Sequence, residues 1–238
     1  MDTSAYQEFA KEKLGFEFND INLLVTALTH RSYVNEHKKV HDHNERLEFL
    51  GDAVLELVSS DFLYRNYSES EGIMTALRAA LVRTESIGDA GKELGYEPLV
   101  RLSKGEQNGS ERAHDVILAD CFEAVIGAIY LDQGYDVAKD FIAKHILVKI
   151  DTVLEEGSWR DPKSYVQELA QKIDGITPIY KTLKEDGPDH DKTFTIGVYV
   201  GDELKGVGTG HSKQEAQTEA AREGVKLYKK IEKETKNS

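Results

Sequence analysis

A single cysteine, Cys121, stands among 238 residues, so no disulfide can form within the chain. That usage is compatible with a reducing cytosol. No histidine pairs with Cys121 in the local sequence, and it reads as a small core residue, not a nucleophile. No apolar run approaches the roughly 18 residues of a membrane-crossing helix. No signal-peptide pattern opens the chain, so neither membrane insertion nor export is expected. Prolines number only four, and none interrupts the run from Asn44 to Tyr64. Convincing apolar–polar alternation is missing before residue 175, so the first part of the chain reads as all-α. No internal repeat is visible. Basic residues are also scarce: 30 Lys+Arg stand against 43 Asp+Glu, a net charge of −13. Taken alone, that balance argues against a nucleic-acid partner. Its distribution changes the argument. Residues 162–238 hold 13 basic and 13 acidic residues, leaving 17 (30 − 13) and 30 (43 − 13) for the first 161. The whole acidic excess lies in the first part.

What is there begins with the stretch Asn44 to Leu55. Leu47, Phe49, Leu50, Ala53, Val54 and Leu55 are apolar, and the spacing predicts a helix. Glu45, Glu48 and Asp52 fall at i, i+3 and i+7, stacked along one face. Three acids on one face repel by a few tenths of a kcal/mol per pair. Gly51 inside the same helix costs about 1 kcal/mol relative to alanine. A segment that breaks two local rules at once points to chemistry. On spacing alone, a solvated acidic face with an incidental glycine fits equally well.

A second stretch, Ile117 to Leu131, is apolar almost all round and should be a buried helix. Its only charges before the C-terminal end are Asp120 and Glu123, with no lysine, arginine or histidine nearby. Buried carboxylates need a partner. A divalent cation would serve; the alternative is one protonated acid sharing its proton with the other. Gly51, Ala53, Ala119 and Gly127 are small enough to let the two helices approach closely. Crossing them would bring Glu48 and Asp52 against Asp120 and Glu123. Four hard oxygen ligands suit Mg²⁺, with Mn²⁺ as a substitute, and do not suit zinc.

The run Asn44-Glu45-Arg46-Leu47-Glu48-Phe49-Leu50-Gly51-Asp52 resembles the signature of bacterial ribonuclease III. Leu118-Ala119-Asp120 with Glu123-Ala124 resembles that family's second acidic motif. The similarity extends over nearly the whole chain, from Leu14-Gly15 and Ala27-Leu28-Thr29-His30-Arg31-Ser32 onward. The resemblance implies a double-stranded RNA endonuclease in which Glu48, Asp120 and Glu123 ligate the metal. It makes Asp52 and Glu123 essential to catalysis, and sets Glu45 behind the ligands or in the substrate cleft. It further implies a cytoplasmic homodimer, with Phe49 plugged into a cavity of the partner subunit and Glu71 reaching the partner's centre. Phe49 in its own subunit's core is the alternative. The products would carry 5′-phosphates and short 3′ overhangs, cut from ribosomal RNA precursors and other structured transcripts, messenger and transfer RNA among them.

In chain order, short helices are expected over Ala5–Leu14 and Ile21–Leu28. A polar loop from Tyr33 to His43 then leads into the acidic helix. Further helices are expected near Ile73–Val82 and Glu85–Leu94, with Gly95 as a stop, then a loop from Lys104 to Ser110. A last helix is expected from Tyr135 to Leu154. Polar residues around Trp159 read as a linker, with Asp161 capping Pro162 at the first helical position. Trp159 fits either an anchor between domains or a partly exposed aromatic. The expected division is 1–156 nuclease, 157–161 linker, 162–231 second domain and 232–238 tail.

The second domain changes period. A helix over Lys163–Ile173 is followed by strands at Ile179–Leu183, Phe194–Val200 and Leu204–Gly208. Ser212 then caps a closing helix whose inner stripe is Ala216, Ala220, Ala221, Val225 and Tyr228. This α-β-β-β-α order resembles a double-stranded RNA-binding domain, marked by Gln167-Glu168, Gly187-Pro188-Asp189-His190 and Gly208-Thr209-Gly210-His211-Ser212-Lys213. The resemblance implies RNA contacts from Gln167, Glu168, Gln171, His190, Ser212 and Lys213, reading A-form shape across minor grooves and phosphates. Gln214 stands where a second lysine is usual and Gln217 where glutamate is common; the missing lysine should weaken phosphate binding. Two other functional classes fit less well. A regulator that binds duplex RNA without cutting would lack one of the four acids, and all are present. A phosphohydrolase for small substrates would not need the second domain.

Overall fold

The apolar run around Cys121 becomes the axis of the first unit. It lies in α8 (Glu111–Gln133), which buries eleven residues, from Ile117 to Ile129. Ser110 caps its start, accepting from the Ala113 N–H, and Gly134 at φ +88° ends it. Against α8 lies α4 (Glu45–Asn66), which buries Leu47, Gly51, Val54, Leu55, Val58 and Leu63. Two glycines set how close the pair can come. A methyl group on Gly51 would sit 1.7 Å from the Glu123 carbonyl oxygen; one on Gly127 would sit 2.2 Å from the Leu47 carbonyl oxygen. Ala119 is buried, but Ala53 is exposed and takes no part in the crossing. The helical phase that turns Gly51 inward turns Ala53 out.

The computed structural model describes residues 2–188 and 192–236, and the chain divides into two compact units between Trp159 and Arg160. Around the α4–α8 pair the first unit adds α1 (Ser4–Phe9), α2 (Ile21–Ala27), α3 (Arg31–Glu36), α5 (Glu71–Leu81), α6 (Thr84–Leu94), α7 (Lys104–Gln107), α9 (Tyr135–His145) and α10 (Ile150–Glu156). Several bounds differ from expectation. The first expected helix is an α-helix to Phe9, then a π turn over Ala10–Leu14. The segment read as loop from Tyr33 starts inside α3, whose cap is His30: the imidazole Nδ1 accepts from the Ser32 N–H at 3.3 Å. Ser103 likewise caps the short α7 inside the expected Lys104–Ser110 loop. The expected helix from Tyr135 breaks after His145 into a 3₁₀ turn, Leu147–Lys149, before α10. Gly95 ends α6 at φ +78°, as read. Trp159 is partly buried against the first unit's own core.

In the second unit Asp161 caps α11 (Pro162–Ile173), its carboxylate accepting from the Ser164 N–H at 2.8 Å. Strands β1 (Ile179–Asp186), β2 (Thr193–Val200) and β3 (Glu203–Gly210) form an antiparallel sheet in that order. Then α12 (Lys213–Lys236) runs on past residue 231, where the sequence reading ended the domain. Its expected inner stripe of Ala216, Ala220, Ala221, Val225 and Tyr228 is buried throughout. The helix rests directly on β3, since a methyl group on Gly208 would lie 2.2 Å from the Ala220 nitrogen. Both expected architectures are therefore present: a helical first unit, then α-β-β-β-α.

Candidate functional site

The glycine crossing fixes the acids. Glu48 and Asp52 are one turn apart on α4, and Asp120 and Glu123 are at i, i+3 on α8. Burial pushes the Glu48 carboxyl up to about 7, with the charges of Asp120, Glu45 and Asp52 adding to it. Burial pushes Glu123 further, to about 8, and Asp52, Glu48, Asp120 and Glu56 push the same way. Asp120 is also raised, first by burial; His30 opposes that shift and Glu45 adds to it. Each helix therefore feels the other's charges. None of the carboxylates of Glu48, Asp52, Asp120 and Glu123 has a hydrogen-bond or ion-pair partner among the described residues. Half-buried like charges without a cation are costly.

The site's rim was not legible in the sequence. Arg31 Nη1 lies 3.3 Å from Glu45 Oε1, and His43 Nδ1 lies 3.9 Å from Glu45 Oε2. Glu45 is thus paired with the Arg31 guanidinium and flanked by the His43 ring beside the cluster. Glu56, one turn beyond Asp52, pairs with Arg78 Nε at 2.7 Å, so its charge is answered from α5. Cys121 lies at 0% exposure behind Asp120, and burial pushes its thiol up to about 12. A thiol held neutral in this way is inert as a nucleophile.

Four carboxylates with no basic partner are the donor set of a hard cation. Among the described residues, however, no three His, Cys, Asp or Glu side chains are grouped as a ready-made ion site. The acids sense one another without closing on a single point. The donor chemistry fits Mg²⁺ or Mn²⁺.

Phe49 points away from its own core at 81% exposure, so the core alternative does not hold. Glu71 opens α5, exposed, and accepts from Thr75 Oγ1 at 3.2 Å. In the second unit Gln167, Glu168 and Gln171 are exposed on α11. Glu168 pairs with Arg160 Nη1 at 2.9 Å, and Gln171 Nε2 donates to Thr177 Oγ1 at 3.3 Å. Ser212 Oγ accepts from the Glu215 N–H at 3.1 Å, capping α12. Lys213 Nζ lies 2.9 Å from Glu185 Oε1 and over the Phe194 ring, so a phosphate there competes with a carboxylate. Gln217 accepts from Lys163 Nζ at 2.8 Å. His190 lies outside the described residues.

Comparison with known proteins agrees with this two-part reading. Residues 20–150 match the family described as Ribonuclease-III-like. The chain belongs to the ribonuclease III family. Residues 162–228 match the double-stranded RNA binding motif. Curated relatives named Ribonuclease 3 include that of Enterococcus faecalis, 45% identical over 219 residues, covering 91% of this chain and 94% of the relative. Another, from Borreliella afzelii, is 42% identical over 221 residues, covering 92% and 90%. A solved ribonuclease III nuclease domain from Campylobacter jejuni is 40% identical, with a TM-score of 0.52 over 58% of this chain and 96% of that one. That domain shows structural flexibility in a region involved in its dimer formation. Among the described residues of this family member, no helix is long and apolar enough to cross a membrane.

Proposed function

We propose that this protein is a divalent-metal-dependent endonuclease of double-stranded RNA, working as a homodimer. The observation that carries the reading is the pair of opposed carboxylate sets on α4 and α8, with Glu48, Asp120 and Glu123 half-buried and none of the four paired with a basic side chain among the described residues, in a chain that also carries the RNA-binding motif. Glu48, Asp120 and Glu123 would hold Mg²⁺, or Mn²⁺ in its place. When bound, the ion neutralises charge on the scissile phosphate and lowers the pKa of water, the chemistry a phosphodiester hydrolase needs. The chain's own part is placement. Glu123, raised first by burial and then by the charges of Asp52, Glu48 and Asp120, would serve as a ligand in its deprotonated form. Asp52, exposed on the same helix as Glu48, would orient the attacking water.

The nuclease region would span 1–156 and the RNA-binding region 162–231, the latter gripping duplex through Gln167, Glu168, Gln171, His190, Ser212 and Lys213. Phe49 would enter the partner subunit, and Glu71 would approach the partner's acids. The products would carry 5′-phosphates and short 3′ overhangs, and the cellular substrates would be ribosomal RNA precursors and other structured transcripts, including messenger and transfer RNA, in the cytoplasm. The test is a cleavage time course on one sequence, as a duplex and as a single strand, with Mg²⁺ and with EDTA. Cutting of the duplex only, and only with the ion, is expected. Metal-independent or single-strand cutting would overturn the reading.

A further inference from the structure

The first unit holds the entire acidic excess, yet its substrate in the proposed reaction is a polyanion. One segment runs against that trend. Residues 30–46 contain four Lys+Arg, namely Arg31, Lys38, Lys39 and Arg46, against three acids, Glu36, Asp42 and Glu45, a formal balance of +1 (4 − 3). The segment is a closed loop, not a loose run. The Asn44 N–H donates to the Thr29 carbonyl at 2.9 Å, so its two ends meet where α4 begins. That closure brings Arg31 and His43 to opposite oxygens of the Glu45 carboxylate, one turn ahead of Glu48. Tyr33 braces the loop: the His37 ring stacks on it at 3.8 Å and the Arg101 guanidinium lies 4.1 Å from its centroid. The heads of Arg31, Lys38 and Lys39 stay exposed.

We propose that this segment is a second contact for the sugar-phosphate backbone of duplex RNA, next to the bond that is cut. Arg31 is its principal phosphate-binding residue, a phosphate there sharing the guanidinium with Glu45, and Lys38 and Lys39 extend the contact. The inference rests on the proposed nuclease reading and adds to it. The acids that gather the ion repel the strand they must cut, and a cationic border on the same helix start offsets that repulsion where it is strongest. Each phosphate so contacted releases condensed counterions, which makes the contribution measurable as salt dependence.

The test uses the full-length chain with a defined duplex and Mg²⁺, comparing Arg31→Gln, Arg31→Lys and the double change Lys38→Gln with Lys39→Gln. Arg31→Gln should raise KM several-fold and leave kcat within about twofold. It should also lower the slope of log affinity against log salt by about 1. Arg31→Lys keeps the charge and should restore most of the KM. The double lysine change should lower the slope again. Unchanged KM and slope in both Gln variants would overturn the proposal. So would a fall in kcat or in thermal stability at constant KM that lysine does not rescue, because that marks Arg31 as a brace for Glu45. Should the wild-type chain leave the duplex uncut, the nuclease reading itself fails. The salt slope of duplex binding by Arg31→Gln needs no cleavage and still decides this inference.

Discussion

Gly51 and Glu123 touch through their backbones: a single methyl group on Gly51 would lie 1.7 Å from the Glu123 carbonyl oxygen. This contact sets the distance between the two acid-bearing helices, and through it the mutual charge effects of Glu48, Asp52, Asp120 and Glu123. Gly51→Ala gains about 1 kcal/mol in helix propensity. It also forces rigid backbone apart, and overpacking of this kind costs about 3 kcal/mol or more. A net loss of stability is expected in urea denaturation, together with lower activity. A variant as stable as wild type would show that the helices can separate freely.

Glu48 and Glu123 make the metal-free protein's stability depend on pH. Both carboxyls are raised from an ordinary value of 4.5, to about 7 and about 8. Between those limits the folded chain holds protons that the unfolded chain has released. Their contribution is therefore fully present below about pH 4.5 and is lost as pH rises through 7 to 8. Denaturation in EDTA across this range should give a wild-type stability that falls more steeply than that of Glu123→Gln. Saturating Mg²⁺ should restore stability at the alkaline end. Identical pH slopes for the two proteins would contradict the coupling.

Phe49 is the most exposed large apolar side chain described. Burying such a ring at a subunit interface makes it an anchor, and Phe49→Ala should weaken self-association by about 2 kcal/mol or more. Analytical ultracentrifugation of the folded variant reads this directly. A variant as tightly dimeric as wild type would place the interface elsewhere.

Division of labour between the two units predicts the behaviour of a chain cut after residue 156. The remaining helical part should fold, dimerise and retain weak duplex cleavage at low salt, because all four acids lie in it. Its affinity for duplex RNA should drop sharply, since the acidic part lacks the grip of the RNA-binding region. An unchanged affinity in a gel shift would sink that assignment.

Much of this was legible in the sequence. The spacing of Glu48 and Asp52, the isolation of Asp120 and Glu123 in an apolar run, and the two glycines together foretold the α4–α8 crossing. The stripe from Ala216 to Tyr228 foretold how α12 packs. Other features were hidden for physical reasons. His30 caps α3 with an imidazole, a role that the usual Ser, Thr, Asp or Asn signal does not cover. The break after His145 has neither glycine nor proline to mark it. Ala53 looked equivalent to Gly51, and only the helical phase separates them. Ion pairs such as Arg31–Glu45, Arg78–Glu56 and Lys213–Glu185 join distant positions, and periodicity carries no information about them.

The central claim is that the acids of α4 and α8 form one metal-dependent catalytic centre, and Glu123→Gln tests it most directly. The change keeps side-chain size and removes a charge, so α8 should fold normally and the metal-free protein should if anything gain stability. The amide is a poorer ligand for a hard cation. A cleavage time course over a range of Mg²⁺, run beside a gel shift on the same duplex, separates chemistry from binding. Cleavage should fall by several orders of magnitude while duplex binding stays at the wild-type level. Near-wild-type cleavage by the Gln variant at limiting Mg²⁺ would remove Glu123 from the mechanism and contradict the account.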